Sequence, residues 1–168
     1  MSVSNKPWVL IIMGSDSDAE IMSQAAAALD EVGVPYEFTV ASAHRSPERT
    51  KKAIHDAEAN GAQVFIAGAG MAAHLPGVVA SLTTKPVIGV PLASGALQGV
   101  DALYAIVQMP PGIPVATVAI GGARNAGALA AQILATSDAE LAARLSAQRG
   151  AMADAVAQKS KKVEKSTR

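Results

Sequence analysis

Short apolar runs alternate along this chain with longer stretches of helical periodicity, and that alternation constrains the fold more than any other feature. Trp8–Met13 is one such run and reads as a buried strand. Residues 16–32 follow with Ile21, Ala25, Ala28, Leu29 and Val32 at helical spacing, and Gly33 and Pro35 mark the stop. A second strand is expected over 36–41. A second helix is expected over 47–59, with Ser46 as its N-cap and Pro47 in the first helical position. The third pair is a strand over 63–67 and a helix over Leu75–Leu82. A fourth strand is expected over 86–90, a short helix over Val100–Val107 within a Pro- and Gly-rich stretch, and a fifth strand over 115–120. A helix over 123–134 comes next. A last helix starts at the Ser137-Asp138 cap, with Leu141, Leu145, Met152 and Val156 as its apolar stripe and Gly150 as its weak point.

Strands and helices in this order make a parallel sheet with helices on both faces. Strands of Val, Ile and Ala without polar alternation agree, because such strands are buried on both sides. No repeat or linker interrupts the pattern, so one α/β domain is expected over 1–158. Residues 159–168 hold five basic residues and one acid and are expected as a flexible basic tail. In open α/β sheets ligands bind beyond the C-terminal ends of the strands, so chemistry is to be sought there.

Composition removes several classes. Half of the 168 residues are apolar, and charged residues make up 17%, against an average of about 25%. The apolar content comes from small side chains, with 36 Ala, 14 Gly and five aromatic residues. Such a chain is not disordered. Its surplus apolar surface suggests cover by another copy of itself. The absence of Cys excludes a disulfide scaffold, catalytic Cys and Cys-ligated zinc, and fits the cytoplasm. No stretch is apolar enough to span a membrane, and the N-terminus lacks the layout of a signal peptide. A net charge of zero gives no argument for nucleic acid. Between residues 61 and 123 the charged residues are Lys85 and Asp101 alone, so this stretch is expected to be core, interface or both.

Three strand ends carry the candidate chemistry. After the first strand comes MGSDSD, where Gly14 permits a tight turn. Ser15 and Ser17, with free N–H groups at the helix start, can hold an anion such as phosphate. Asp18 suits sugar hydroxyls, and equally suits a plain first helical turn. After the second strand, Ser42, His44 and Arg45 combine hydroxyl, titratable imidazole and permanent cation. After the third, GAGMAAHLPG offers a floor of small residues for a flat ligand, with His74 placed either to bond that ligand or to cap the next helix. Its G-x-G-x-x-A start is in the wrong context for a dinucleotide site. His55 is expected to be solvated. No Walker A loop, G-x-S-x-G or His pair at ligand spacing occurs, so no metal is expected, and five aromatics are few for a flavin site. Together the three ends read as a site for a small phosphorylated sugar bearing a flat base, with one proton-transfer residue.

These same segments resemble the class I PurE family, the N5-carboxyaminoimidazole ribonucleotide (N5-CAIR) mutases of purine synthesis. MGSDSD (13–18), SAHRSP (42–47), GAGMAAHLPG (68–77), PVIGVP (86–91) and the long segment 99–127 occur in family order. The resemblance implies a three-layer flavodoxin-like fold, a homo-octamer, and neither metal nor organic cofactor. It implies His44 as general acid/base. Ser15 and Arg45, helped by Ser17 and Ser42, would hold phosphate or ribose, and Asp18 the ribose hydroxyls. Gly70, Ala73, His74 and Leu75 would line the base and carboxylate pocket. Related class II enzymes, which carboxylate aminoimidazole ribonucleotide (AIR) directly with CO2, show Lys after SAH and lack the AAHLPG loop; Arg45 and the loop favour class I. Met71 stands where Gly is frequent, Ser46 where Thr is usual and Ala102 where Ser is common. A non-catalytic nucleotide-binding module is the reading of another class.

Overall fold

The computed structural model describes residues 8–166. Five strands form one parallel sheet in the order β2-β1-β3-β4-β5, with β1 at Trp8–Met13, β2 at Tyr36–Val40, β3 at Ala62–Gly70, β4 at Val87–Leu92 and β5 at Ala116–Thr117. The helices are α1 (Ala19–Asp30), α2 (Pro47–Ala59), α3 (Leu75–Leu82), α4 (Val100–Val107), α5 (Ala123–Ala135) and α6 (Ala139–Ser166). This is the doubly wound α/β arrangement expected from the alternation. Val9, Ile11 and Met13 of β1 face α1 and α5. Leu10 and Ile12 face the opposite layer, built from α2, α3 and α4. The two-residue period of a strand thus feeds both cores at once.

Small side chains set the spacing between layers. A Cβ on Gly127 of α5 would lie 2.4 Å from the Ala25 carbonyl oxygen of α1, and one on Gly68 would lie 2.3 Å from Met22 Sδ. The Ala- and Gly-rich composition is therefore spent on close backbone approach. Phe65, at 0% exposure, is the largest wholly buried side chain.

The main departures from the sequence expectation lie at β3, at β5, at the first helical turn and at the end of α6. β3 runs on to Gly70 and carries the Gly-Ala floor into the sheet. β5 shrinks to two residues. Beyond it Val118 N donates to Gly89 O at 3.1 Å and Gly121 N to Pro91 O at 2.8 Å, but Pro91 has no N–H to return toward β5, so the ladder breaks up. The first helical turn, Asp16–Asp18, is a 3-10 turn that precedes α1. α6 starts where expected, with Leu141 N bonded to Asp138 Oδ1 at 2.9 Å. It then continues to Ser166, through most of the segment expected as a flexible tail. Ala, Gln, Lys and Glu are good helix formers, and Gly150 does not break the run. Thr167 and Arg168 lie outside the described residues.

Candidate active site

The C-terminal ends of β1, β2, β3 and β4 surround a cavity of about 360 Å³. Each wall is a turn the sequence dictates. The chain turns off β1 at Gly14, whose φ is not positive and where an added Cβ would meet nothing within 4 Å, and Ser15 takes the cap position with its Oγ accepting from Ser17 N at 3.4 Å. The Ser15 and Ser17 hydroxyls lie 2.9 Å apart, so two hydroxyls and the start of the helical turn face the same space. Asp18 closes this wall and is half-buried. Burial raises its pKa above the ordinary carboxylate value; hydrogen bonds from the Ser15 backbone and the Ser17 hydroxyl, with the Arg45 charge, pull part of the way back.

The second wall is the turn between β2 and α2. Ser46 holds the N-cap position, but its hydroxyl makes no cap bond. It braces the turn instead, accepting from Ser42 N at 3.1 Å and donating to Ser42 O at 3.1 Å. Arg45 is held over the cavity: its Nη2 donates to Gly14 O at 3.0 Å, and its backbone N to Ser42 Oγ at 3.2 Å. The guanidinium thereby ties the first two walls together and presents a permanent charge beside the serine hydroxyls. His44 lines the cavity next to it.

The third wall and floor come from β3 and the loop after it. Ala69, Gly70, Met71, Ala72 and Leu75 line the space. A Cβ on Gly70 would fall 2.7 Å from Ser94 Oγ and 3.2 Å from Leu92 O, so the floor is as low as it can be. Met71 takes a positive φ of 52°, a conformation that favours glycine. Its exposed side chain reaches toward Gly95 of the loop after β4.

The structure thus brings Ser15, Ser17, Asp18, Ser42, His44, Arg45, Gly70 and Leu75 to one cavity. Two expected liners lie elsewhere. Ala73 is 1% exposed and packs into the core beneath α3. His74 is not on the cavity wall, and its side chain does not cap α3. Its Nδ1 lies 2.7 Å from His44 Nε2, with the two rings edge to face at 83°. His55 is exposed on α2. Ser94 was not singled out by the sequence; its only signal was its place just beyond the fourth strand. Among the described residues no group of three or more His, Cys, Asp or Glu side chains is set to hold a metal ion.

Comparison with known proteins settles the family. The AIR carboxylase family model matches residues 8–155. The chain belongs to this family. It is 55% identical over 161 residues to a Pyrococcus horikoshii protein named N5-carboxyaminoimidazole ribonucleotide mutase, covering 96% of this chain and 91% of that one. It is 55% identical over 159 residues to the Escherichia coli K12 protein of the same name, covering 93% and 94%. The crystal structure of Treponema denticola PurE superposes with a TM-score of 0.86 at 30% identity, covering 94% of this chain and 98% of that one.

Proposed function

We propose that this protein is an N5-CAIR mutase, moving a carboxylate from the exocyclic nitrogen N5 to C4 of the imidazole. The supporting observation is the convergence of His44, Arg45, Ser15, Ser17, Ser42 and Asp18 on one small cavity, within a chain more than half identical to proteins of that name. Ser15, Ser17, Ser42 and Arg45 take the phosphate and ribose side of the ligand, and Asp18 accepts from ribose hydroxyls. Gly70 and Leu75 lie under the base.

His44 moves the proton. The substrate is a carbamate, so its carboxyl is already activated and no step calls for a cofactor. The N5–carboxyl bond breaks, His44 protonates N5, and CO2 is released into the cavity. Confinement keeps CO2 at high effective concentration. C4 attacks it, a C–C bond forms, and the C4 proton returns to His44. The cycle leaves the protein unchanged.

Self-association completes this reading, with a homo-octamer as the assembly. Val100, Tyr104 and Val107 stand exposed along α4, with Leu97 exposed in the turn before it, within the stretch almost free of charge. Beside them Asp101 Oδ1 is buried and unpartnered among the described residues. An exposed apolar stripe of this kind suits contact with another copy. Among the described residues no helix is long and apolar enough to cross a membrane. We assign the enzyme to the cytoplasm, in keeping with its Cys-free sequence. Catalysis is assigned to residues 1–158.

The test is product detection beside native mass measurement. N5-CAIR is expected to give 4-carboxyaminoimidazole ribonucleotide without ATP or added bicarbonate. Turnover of AIR with bicarbonate but not of N5-CAIR would instead make the chain a carboxylase of the class II type. A monomer by native mass would overturn the assembly.

A further inference from the structure

His44 and His74 form a pair that the cavity meets from one side. His44 lines the cavity, while His74 lies off its wall and contacts His44 through Nδ1, 2.7 Å from His44 Nε2. A separation that short needs one proton between the two nitrogens, so one ring donates and the other accepts. The contact occupies His44 Nε2 and leaves His44 Nδ1 for the ligand.

The surroundings decide which ring donates. His74 is the N-cap residue of the eight-residue helix α3 and stands off the cavity wall. The charged groups around His44 come from two sides. Asp18 and Asp16 lie on the turn after β1, and Arg45 follows His44 in its own turn; the loop after β4 contributes uncharged Ser94. Of the two rings only His44 lines the cavity, so the proton exchanged with the ligand is carried there. The imidazolium is then His44, with both of its nitrogens protonated, and His74 accepts from His44 Nε2–H. When His44 Nδ1 gives up its proton, the Nε2–H bond stays as it was.

We propose that His74 is a positioning residue that holds His44 as its Nε2–H tautomer, so that Nδ1 alone exchanges the proton with the ligand. The proposal rests on the mutase reading for its chemical step. There Nδ1 delivers its proton to N5 as the N5–carboxyl bond breaks, and the same lone pair later takes the proton from C4. His74 neither gains nor loses a proton in the cycle. It removes the unproductive tautomer, in which Nδ1 already carries the proton of a neutral ring and cannot act as base. Both rings are exposed in the single chain, so the bond competes with water and its effect is one of bias.

The experiment joins ¹⁵N NMR of the His44 ring to the kinetics of two variants. In the unliganded full-length protein, at a pH where the ring is neutral, Nε2 is expected to carry the proton. His74→Phe removes the acceptor. It is expected to mix the His44 tautomers, to lower kcat roughly ten- to a hundredfold, by analogy with other groups that orient an imidazole, and to leave KM within about threefold. The acid limb of the kcat profile is expected to move with it. His74→Asn, whose amide oxygen can accept, is expected to recover most of kcat. A wild-type His44 protonated on Nδ1 overturns the proposal. So does a His74→Phe variant with unchanged tautomer and kcat, or with raised KM and unchanged kcat, which would put His74 on the substrate. Should His74→Phe fail to fold, the wild-type spectrum and His74→Asn decide. A wild-type protein inert toward N5-CAIR defeats the mutase reading, and the NMR result still decides the tautomer.

Discussion

The two ends of the sheet each carry a concavity, and the larger lacks the chemistry. At the N-terminal ends of the strands, Lys85, Pro86 and Val87 with Ala80–Leu82 and Gly112–Pro114 line a groove of about 870 Å³. The C-terminal ends enclose about 360 Å³. The groove holds Glu58 and Lys85 as its charged residues, and Lys85 Nζ is already bonded to Gln63 Oε1 at 3.2 Å. The smaller cavity holds an imidazole, a guanidinium, a carboxylate and four serine hydroxyls. Parallel strands account for the difference. Every turn that leaves a strand's C-terminal end opens a helix or a helical turn, and unpaired N–H groups gather there. The opposite end gathers helix C-termini and connecting prolines. Size does not mark the site; the convergence of polar groups does.

Removing the proton carrier should cost most. His44→Asn is expected to lower kcat by about 10³-fold, in the range of general acid–base catalysis, with native mass and thermal melting unchanged. Retention of turnover would strip the cavity of its chemical distinction. Arg45→Ala comes next. It removes both the phosphate-side charge and the tie to Gly14 O, and is expected to raise KM roughly thirtyfold, the scale of one charge-assisted hydrogen bond of about 2 kcal/mol, with a smaller effect on kcat. A drop in kcat alone would place Arg45 on the reacting atoms. Gly70→Ala is expected to weaken substrate binding about tenfold, because its Cβ would meet Ser94 Oγ at 2.7 Å and raise the floor; unchanged KM would show that the ligand does not lie on it.

Much of this contrast was legible in the sequence because strand ends are local. GSDSD and SAHRS each carry their polar groups within a few residues of a strand that announces itself, so Ser15, Asp18, Ser42, His44 and Arg45 could be placed without knowing the partner strands. Ser94 could not, since it follows a fourth strand in a Pro- and Gly-rich stretch that carries no local chemical pattern. The pairing of His44 with His74 joins residues thirty apart, and the choice between bonding a ligand and capping α3 depended on where two turns meet. Ala73 shows the converse: the small residues of the loop look alike in sequence, yet one points into the core and its neighbours into the cavity. β5 was overread because Val115–Ile120 has strand composition, while its pairing depends on Pro91 across the sheet.

Asp18 makes the cavity sensitive to acid. Burial raises its pKa, so the folded state binds its proton more tightly than the unfolded chain does. Its contribution to stability is then fully present below the unfolded pKa and is lost as pH rises through the window up to the folded value. Substrate binding runs the other way, because only the ionised carboxylate is purely an acceptor for ribose hydroxyls. KM is expected to rise about fivefold on mild acidification, beginning at a higher pH than an ordinary carboxylate would give. Asp18→Asn should raise KM by a similar factor at neutral pH, flatten that acid limb and slightly stabilise the unliganded fold. A KM profile identical in the two proteins would remove Asp18 from the binding wall.

The smallest expected effect tests the contrast from its other side. Lys85→Ala removes the one cation of the larger groove and its bond to Gln63. That bond is partly exposed, so its loss should cost under about 1 kcal/mol, read as a small fall in melting temperature. The groove lies at the opposite end of β4 from Ser94, and no side chain that lines it also lines the cavity. Packed between the two ends is the strand itself, Val87–Leu92, wholly buried and rigid by its pairing with β3. Through a strand so held, a charge removed at one end is not expected to move anything at the other. Both kcat and KM are therefore expected to stay within about twofold of the unaltered protein. A larger change, with native mass unaltered, would mean that the groove communicates with the cavity, and the division of the sheet into a chemical end and an inert end would fail.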